Sequence, residues 1–240
     1  MYSNAGRVAR NLEQIVDLKG KTILEIGAGT GRDSLPLLEL GASVVQLDYA
    51  EQSLQILKRL AVEGNLDVQI IGGDTFSLPF RDGTFDIIFH QGLLEHFTPD
   101  VADRLLCENI RVLKPDGLLL VDVPQRFHPY TLAKHALMAA GKWFAGWERS
   151  FSVPELKKVM ERLGLSIVYC YGDWMAPSFF YRATREALKK GGVTLPLYPR
   201  IWQPFTSLRA RFRDAMLRTP LPLYTGISIG VVGKKTRSIA

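Results

Sequence analysis

A strand-forming run that ends in alternating glycines, Thr22-Ile23-Leu24-Glu25-Ile26-Gly27-Ala28-Gly29-Thr30-Gly31, constrains this 240-residue chain more than any other segment. Apolar and β-branched residues lead into a turn where glycine reaches positive φ without a Cβ penalty and lets backbone approach a ligand closely. The spacing carries the information. A dinucleotide-binding turn wants G-x-G-x-x-G, with its third glycine packing helix on strand. Here the pattern is G-x-G-x-G, and position 32 is Arg. Glu25, two residues before the first glycine, would repel a pyrophosphate. It suits a ligand that carries positive charge and no phosphate.

The periodicity around this turn alternates strand and helix. It predicts strands over 22–26, 43–47, 67–71, 85–90, 117–123 and 165–171, and a last strand from Tyr224 to Val232. Helices are expected over the first eighteen residues, about 32–40, 50–62, from Thr98-Pro99-Asp100 to Lys114-Pro115, and after a Ser152/Glu155 capping box with Pro154 in its first turn. Near-continuous apolar strands alternating with helices imply a doubly wound, mostly parallel α/β sheet covered on both faces. Ligands then bind at the carboxyl ends of the strands, beside the switch in strand order. Glu25, Asp48, Asp74 and Gln91 all fall at or just past such ends.

The ordered set of motifs resembles the class I S-adenosylmethionine-dependent methyltransferases of the small-molecule, type 11-like kind. The acidic residue, spacer and G-x-G-x-G match that family's first motif. Asp48 ends the second apolar run, Gly73-Asp74-Thr75-Phe76 follows the third, and Phe85 to His96 looks like the fourth strand and the loop facing the methyl group. Leu113 to Val121 looks like the turn into the fifth strand. The resemblance covers about residues 20–123 and implies a seven-stranded Rossmann-like sheet with S-adenosylmethionine as cofactor. It places Glu25, Gly27, Ala28, Gly29 and Gly31 at the cofactor's cationic amino-acid end and Asp48, with Tyr49, at its ribose. Asp74, Thr75 and Phe76 fall at the adenine, and Gln91 near the centre.

Methyl transfer from a sulfonium needs chiefly that donor and acceptor be held together away from water, with a general base for acceptors that ionise reluctantly. His96 and its neighbour Glu95 are the candidate bases in the loop after the fourth strand. His128 and Tyr130, in a stretch rich in aromatics, are candidates to line the acceptor pocket. The loop after the fourth strand lacks the Asp/Asn-Pro-Pro-Tyr/Phe run of enzymes that methylate base amines. Neither Cys107 nor Cys170 is placed for attack on a cytosine, so a small-molecule, lipid or glycan acceptor is expected rather than a nucleic acid. Both cysteines read as buried small hydrophobes, and no metal-ligand spacing is present.

Two segments, at about 124–150 and 173–222, exceed ordinary connections; they read as insertions of a single 1–240 domain that form a lid on the acceptor side. Helices are expected over Phe179–Lys190 and from near Pro204. Residues 1–180 hold 18 Lys and Arg against 22 Asp and Glu, whereas residues 181–240 hold 12 against 2. That basicity is confined to a surface patch. Phe205, Leu208, Phe212 and Met216 share one helical face, with Arg209, Arg211, Arg213 and Arg218 largely elsewhere. The apolar face either packs on the sheet or meets an anionic membrane. Without a secretory-type leader or a window of about 18 apolar residues, a cytoplasmic location with peripheral membrane contact is the expectation. Two other classes compete. A nicotinamide-dependent dehydrogenase is opposed by Glu25 and by the missing third glycine. A non-catalytic module docking a membrane or nucleic acid would not need the intact glycines and three cofactor-side carboxylates.

Overall fold

Alternating strand and helix builds a seven-stranded sheet in the order β3-β2-β1-β4-β5-β7-β6. The strands are β1 (Thr22–Ile26), β2 (Ser43–Asp48), β3 (Val68–Gly72), β4 (Phe85–Gln91), β5 (Leu113–Pro124), β6 (Leu165–Asp173) and β7 (Ser228–Lys235). All pairings are parallel except those of β7, which runs antiparallel between β5 and β6. The computed structural model describes residues 6–143, 146–174, 179–196 and 203–236, with the side chains at 179–180, 183, 203–206 and 209 outside the description.

The helices are α1 (Arg7–Leu12), α2 (Leu35–Glu39), α3 (Glu51–Gly64), α4 (Pro99–Val112), α5 (Pro129–Ala139), α6 (Val153–Arg162), α7 (Phe179–Lys190), α8 (Gln203–Leu217) and α9 (Leu221–Thr225), with a 3-10 turn at Leu94–His96. Successive strand residues point to opposite faces, so the apolar strands supply two cores. One gathers Leu24, Val45, Ile88, Leu119 and Val121 with Leu105 and Leu106 of α4 and Leu156 and Met160 of α6. The other gathers Ile23, Val44, Ile87, Phe89 and Leu120 with Val8 and Leu12 of α1 and Leu37 of α2. Each such side chain, fully buried, contributes roughly 1.5–3 kcal/mol, and their sum clamps helices on both faces.

Several boundaries differ from the periodicity, each for a local reason. The first helix is described only over Arg7–Leu12; beyond it, bonds from Gln14 and Ile15 N–H to Asn11 and Leu12 carbonyls tighten the chain, and Asp17 accepts from Lys19 N–H as it turns into β1. α2 begins only at Leu35, with Pro36 in its first turn and the Ser34 hydroxyl bonded to Glu25 rather than capping the helix. β5 pairs from Leu113, not 117; the ladder breaks after Leu113 opposite Phe85 and resumes at Leu118 opposite Ile87. Tyr224 lies in α9 rather than the last strand, which starts at Ser228 after the helix opened by Pro222 ends at Gly226. The Ser152 cap is present, its hydroxyl accepting from Glu155 N–H, while the Glu155 carboxylate takes Arg126 and Arg149. Cys107 is exposed, not buried, since Leu105, Leu106 and Asn109 occupy the inward face of α4; Cys170 is half-buried, and both are free thiols.

Candidate active site

The strand order reverses between β1 and β4, and the polar residues singled out from sequence converge on the carboxyl edge around that point. Gly27, Gly29 and Gly31 all hold positive φ, at 67°, 55° and 65°. Their surroundings separate their roles. A Cβ on Gly31 would stand 2.4 Å from Gln46 Nε2 and 2.7 Å from Leu57, so this glycine is required for packing. A Cβ on Gly29 would meet nothing closer than the Gly27 carbonyl at 4.0 Å, so its backbone borders open space. The turn is pinned by Gly27 and Ala28 N–H groups donating to Leu47 O, at 2.8 and 3.1 Å.

Asp48 closes β2 and is nearly buried. Its Oδ2 accepts from Gly29 N–H at 2.8 Å and its Oδ1 from Ala50 N–H at 2.9 Å. One carboxylate thus joins the glycine turn to the start of α3. Each oxygen has a second lone pair to offer a ligand hydroxyl. Tyr49 beside it is 84% exposed. Glu25 is buried and receives the Ser34 hydroxyl. Burial, with the charges of Asp33 and Asp48 adding, pushes its carboxyl up to about 8 against the Ser34 bond and Arg32. Past β3, Asp74 Oδ1 accepts from Phe76 N–H at 2.9 Å, the Thr75 hydroxyl is buried without a partner among the described residues, and the Phe76 ring meets Phe97 edge-on at 5.1 Å.

At the end of β4 the arrangement is held by a residue the motifs did not indicate. Arg7 of α1, buried, donates to Gln91 Oε1 at 2.6 Å, Asp122 Oδ1 at 2.9 Å and Ser228 Oγ at 2.7 Å. Tyr171 donates to Asp122 Oδ2 at 2.7 Å, its ring lying where a side chain on Gly230 would stand. Burial pushes the Asp122 carboxyl up to about 6, opposed by Arg7 and Tyr171; burial also opposes the charge on Arg7, but Asp122, Tyr171, Asp173 and Asp33 together outweigh it and hold the guanidinium charged. The one sequence signal for this network was an acid interrupting the apolar run of β5, since a buried charge demands a partner. Gln91 keeps a buried Nε2 without a partner among the described residues. His90, on the opposite face of β4, is fully buried with neither ring nitrogen bonded among the described residues, and burial lowers it to about 4, so it stays neutral.

The 3-10 turn after β4 divides the two candidate bases. His96 is exposed, whereas the Glu95 side chain is buried and its Oε2 has no partner among the described residues. His128 caps α5, its Nδ1 accepting from Tyr130 N–H at 3.1 Å, and Tyr130 meets Trp143 edge-on at 6.0 Å. Burial lowers His128 and raises Tyr130. Buried Lys134 pairs with Glu148 at 2.8 Å, and Trp143 Nε1 donates to the same carboxylate at 3.3 Å. Among the described residues no group of three or more His, Cys, Asp and Glu is arranged to hold a metal ion.

A methyltransferase-domain family model matches residues 24–121. The chain is 29% identical over 171 residues to the ubiquinone biosynthesis O-methyltransferase of Dinoroseobacter shibae, covering 68% of this chain and 67% of that enzyme. It is 36% identical over 121 residues to the demethylmenaquinone methyltransferase of Renibacterium salmoninarum, a match spanning 48% of each chain. In fold it is similar to the magnesium protoporphyrin IX methyltransferase of Synechocystis, solved with S-adenosylhomocysteine bound. That TM-score is 0.62 at 16% identity, covering 96% of this chain and 80% of that one.

Proposed function

We propose that the chain acts as a class I S-adenosylmethionine-dependent methyltransferase whose acceptor is a hydroxylated aromatic ring with an apolar tail, met at an anionic membrane surface. The bound cofactor supplies a methyl group on a positively charged sulfur. The residues present suit it: an open-backed glycine at position 29, a carboxylate at Asp48 with lone pairs to spare, and unspent polar atoms on Thr75 and Gln91. In this reading Asp48 holds the ribose beside Tyr49, and Asp74, Thr75 and Phe76 meet the adenine. Glu25 and the Gly27–Gly31 backbone receive the amino-acid end, near Gln91. The enzyme contributes mainly by holding donor and acceptor in near-attack geometry away from water.

One observation carries the acceptor class. The elements leaving the carboxyl edge on the β5–β7 side expose large apolar side chains: Phe127, Leu132 and Trp147 around α5, Tyr224 of α9, and Leu208 and Phe212 of α8 at 66% and 65%. Leu208 and Phe212 therefore do not pack on the sheet, which removes that alternative for these two; Phe205 and Arg209 lie outside the described side chains. Lys189, Lys190, Arg211 and Arg218 are exposed nearby in sequence. Apolar area beside cations is what binds an anionic lipid interface. Among the described residues no helix is long and apolar enough to cross a membrane. The names of both relatives point to quinone-type rings, and that of the first to an oxygen acceptor. Segments 124–150 and 173–222 form the lid over the acceptor, with His128 and Tyr130 on its inner side.

The test combines labelled S-adenosylmethionine, a prenylated catechol as acceptor, and vesicles. Transfer to the catechol is expected, together with flotation on anionic but not neutral vesicles that weakens with salt. Leu208→Ser with Phe212→Ser should lower vesicle binding at least about tenfold while cofactor affinity holds. Charge reversal belongs on Arg211 and Arg218, because Arg213 is engaged with Asp173 at 3.0 Å. Cofactor binding without transfer to the catechol would overturn the acceptor class, and flotation indifferent to lipid charge would overturn the membrane part.

A further inference from the structure

Glu95 combines burial with an absence of partners in a way no other carboxylate near the carboxyl edge does among the described residues. Its side chain is 4% exposed, Oε2 is buried and unbonded, and the carboxyl receives only its own backbone N–H. The turn that carries it is fixed from outside, since the Glu95 carbonyl accepts from Arg149 N–H at 2.8 Å. The cations nearby are already committed: Lys134, 1% exposed, to Glu148, and Arg7 to Asp122. Its other oxygen lies beside a residue with no side chain: Gly92 is exposed with φ 65°, and a Cβ there would come within 3.5 Å of Glu95 Oε1.

We propose that Glu95, reached across Gly92, is the base that takes the proton from the acceptor's ring hydroxyl, and that exposed His96 is not. This rests on the hydroxylated-ring reading above. The acceptor's O–H proton passes to a Glu95 carboxylate oxygen while the oxygen's electron pair bonds to the methyl carbon. The methyl–sulfur pair stays on sulfur, which leaves as a neutral thioether, and Glu95 returns the proton to water. The site suits the task. Burial pushes Glu95 up to about 8, with the charges of Glu148 and Asp122 adding and Lys134 opposing. A base near 8 matches a phenol of pKa about 10 far better than an ordinary carboxylate near 4 does.

Two measurements test this, one of them independent of activity. Infrared difference spectra of the wild type against Glu95→Gln should show a protonated carboxyl band that disappears as pH rises through about 8. Methyl transfer to a prenylated catechol should rise through the same pH in the wild type and in His96→Ala. In Glu95→Gln it should fall about 10²–10⁴-fold and lose that limb, keeping only the acceptor's own ionisation. Calorimetric affinity for S-adenosylmethionine should be unchanged in both variants, which also reports their folding. No band, a band titrating below pH 6, or Glu95→Gln turnover within threefold of wild type would overturn the assignment. If the wild type binds S-adenosylmethionine but methylates no catechol, the acceptor reading fails, and the infrared titration still decides whether Glu95 holds its proton to pH 8.

Discussion

The two halves of the carboxyl edge are built by different means. At the ends of β1, β2 and β3 the polar contacts join residues close in the chain: Asp74 to Phe76, Ser34 to Glu25, Asp48 to Gly29. At the ends of β4, β5 and β7 one guanidinium ties Gln91, Asp122 and Ser228, residues 84, 115 and 221 positions from Arg7. The first half is turn chemistry that forms wherever a strand enters such a glycine loop. The second exists only once the whole sheet has closed and α1 has docked on it. In the proposed reading, the cofactor side is built by local geometry and the acceptor side by long-range assembly.

The largest expected effect breaks the long-range half. Arg7→Ala leaves Asp122 buried without its cation and should lower stability by about 3–5 kcal/mol, as chemical denaturation would measure. A loss below about 1 kcal/mol would mean the network is dispensable and the contrast between the halves false. Next, Asp48→Ala strikes the local half. It should weaken S-adenosylmethionine binding by roughly 1.5–3 kcal/mol in calorimetry, through loss of charge-assisted hydrogen bonds. Unchanged affinity would remove Asp48 from the ribose site.

A third effect, read as a slope with pH rather than as a single loss, sharpens the comparison through protons. Glu25 is raised from 4.5 to about 8 on folding, so between those values the native state binds a proton that the unfolded chain has lost. Its contribution is therefore complete below about pH 4.5 and lost as pH rises toward 8, with a slope of at most about 1.4 kcal/mol per pH unit. Thermal melts without cofactor should show a steeper decline from pH 5 to 8 in the wild type than in Glu25→Gln. If the cofactor's ammonium end sits beside Glu25, binding near pH 7 should also release protons. Calorimetric heats would then depend on the buffer's ionisation enthalpy in the wild type and not in the variant.

Much of this was legible from residues in order. Glu25, the three glycines, Asp48 and Asp74 lie at strand ends that periodicity alone locates, and the structure places them on one edge. Arg7 was not legible, because an arginine in an amphipathic helix is ordinarily solvated. Nor was the split between Glu95 and His96, since adjacent residues on a 3-10 turn look equivalent until one is seen to point inward. Leu208 and Phe212 shared a helical face in the sequence, but only the fold shows that nothing in the described structure covers them.

The amino-acid sequence by itself determined the α/β alternation, the parallel sheet and the glycine turn with its flanking carboxylates, because those follow from period, turn geometry and spacing within about twenty residues. The tertiary structure alone decided which carboxylate is left without a partner and which arginine is buried. It also decided which apolar face stays open. Each of these depends on what other strands and helices bring within hydrogen-bonding or van der Waals distance. Burial and pairing, the quantities that set a proton's affinity, belong to the folded neighbourhood rather than to the residue.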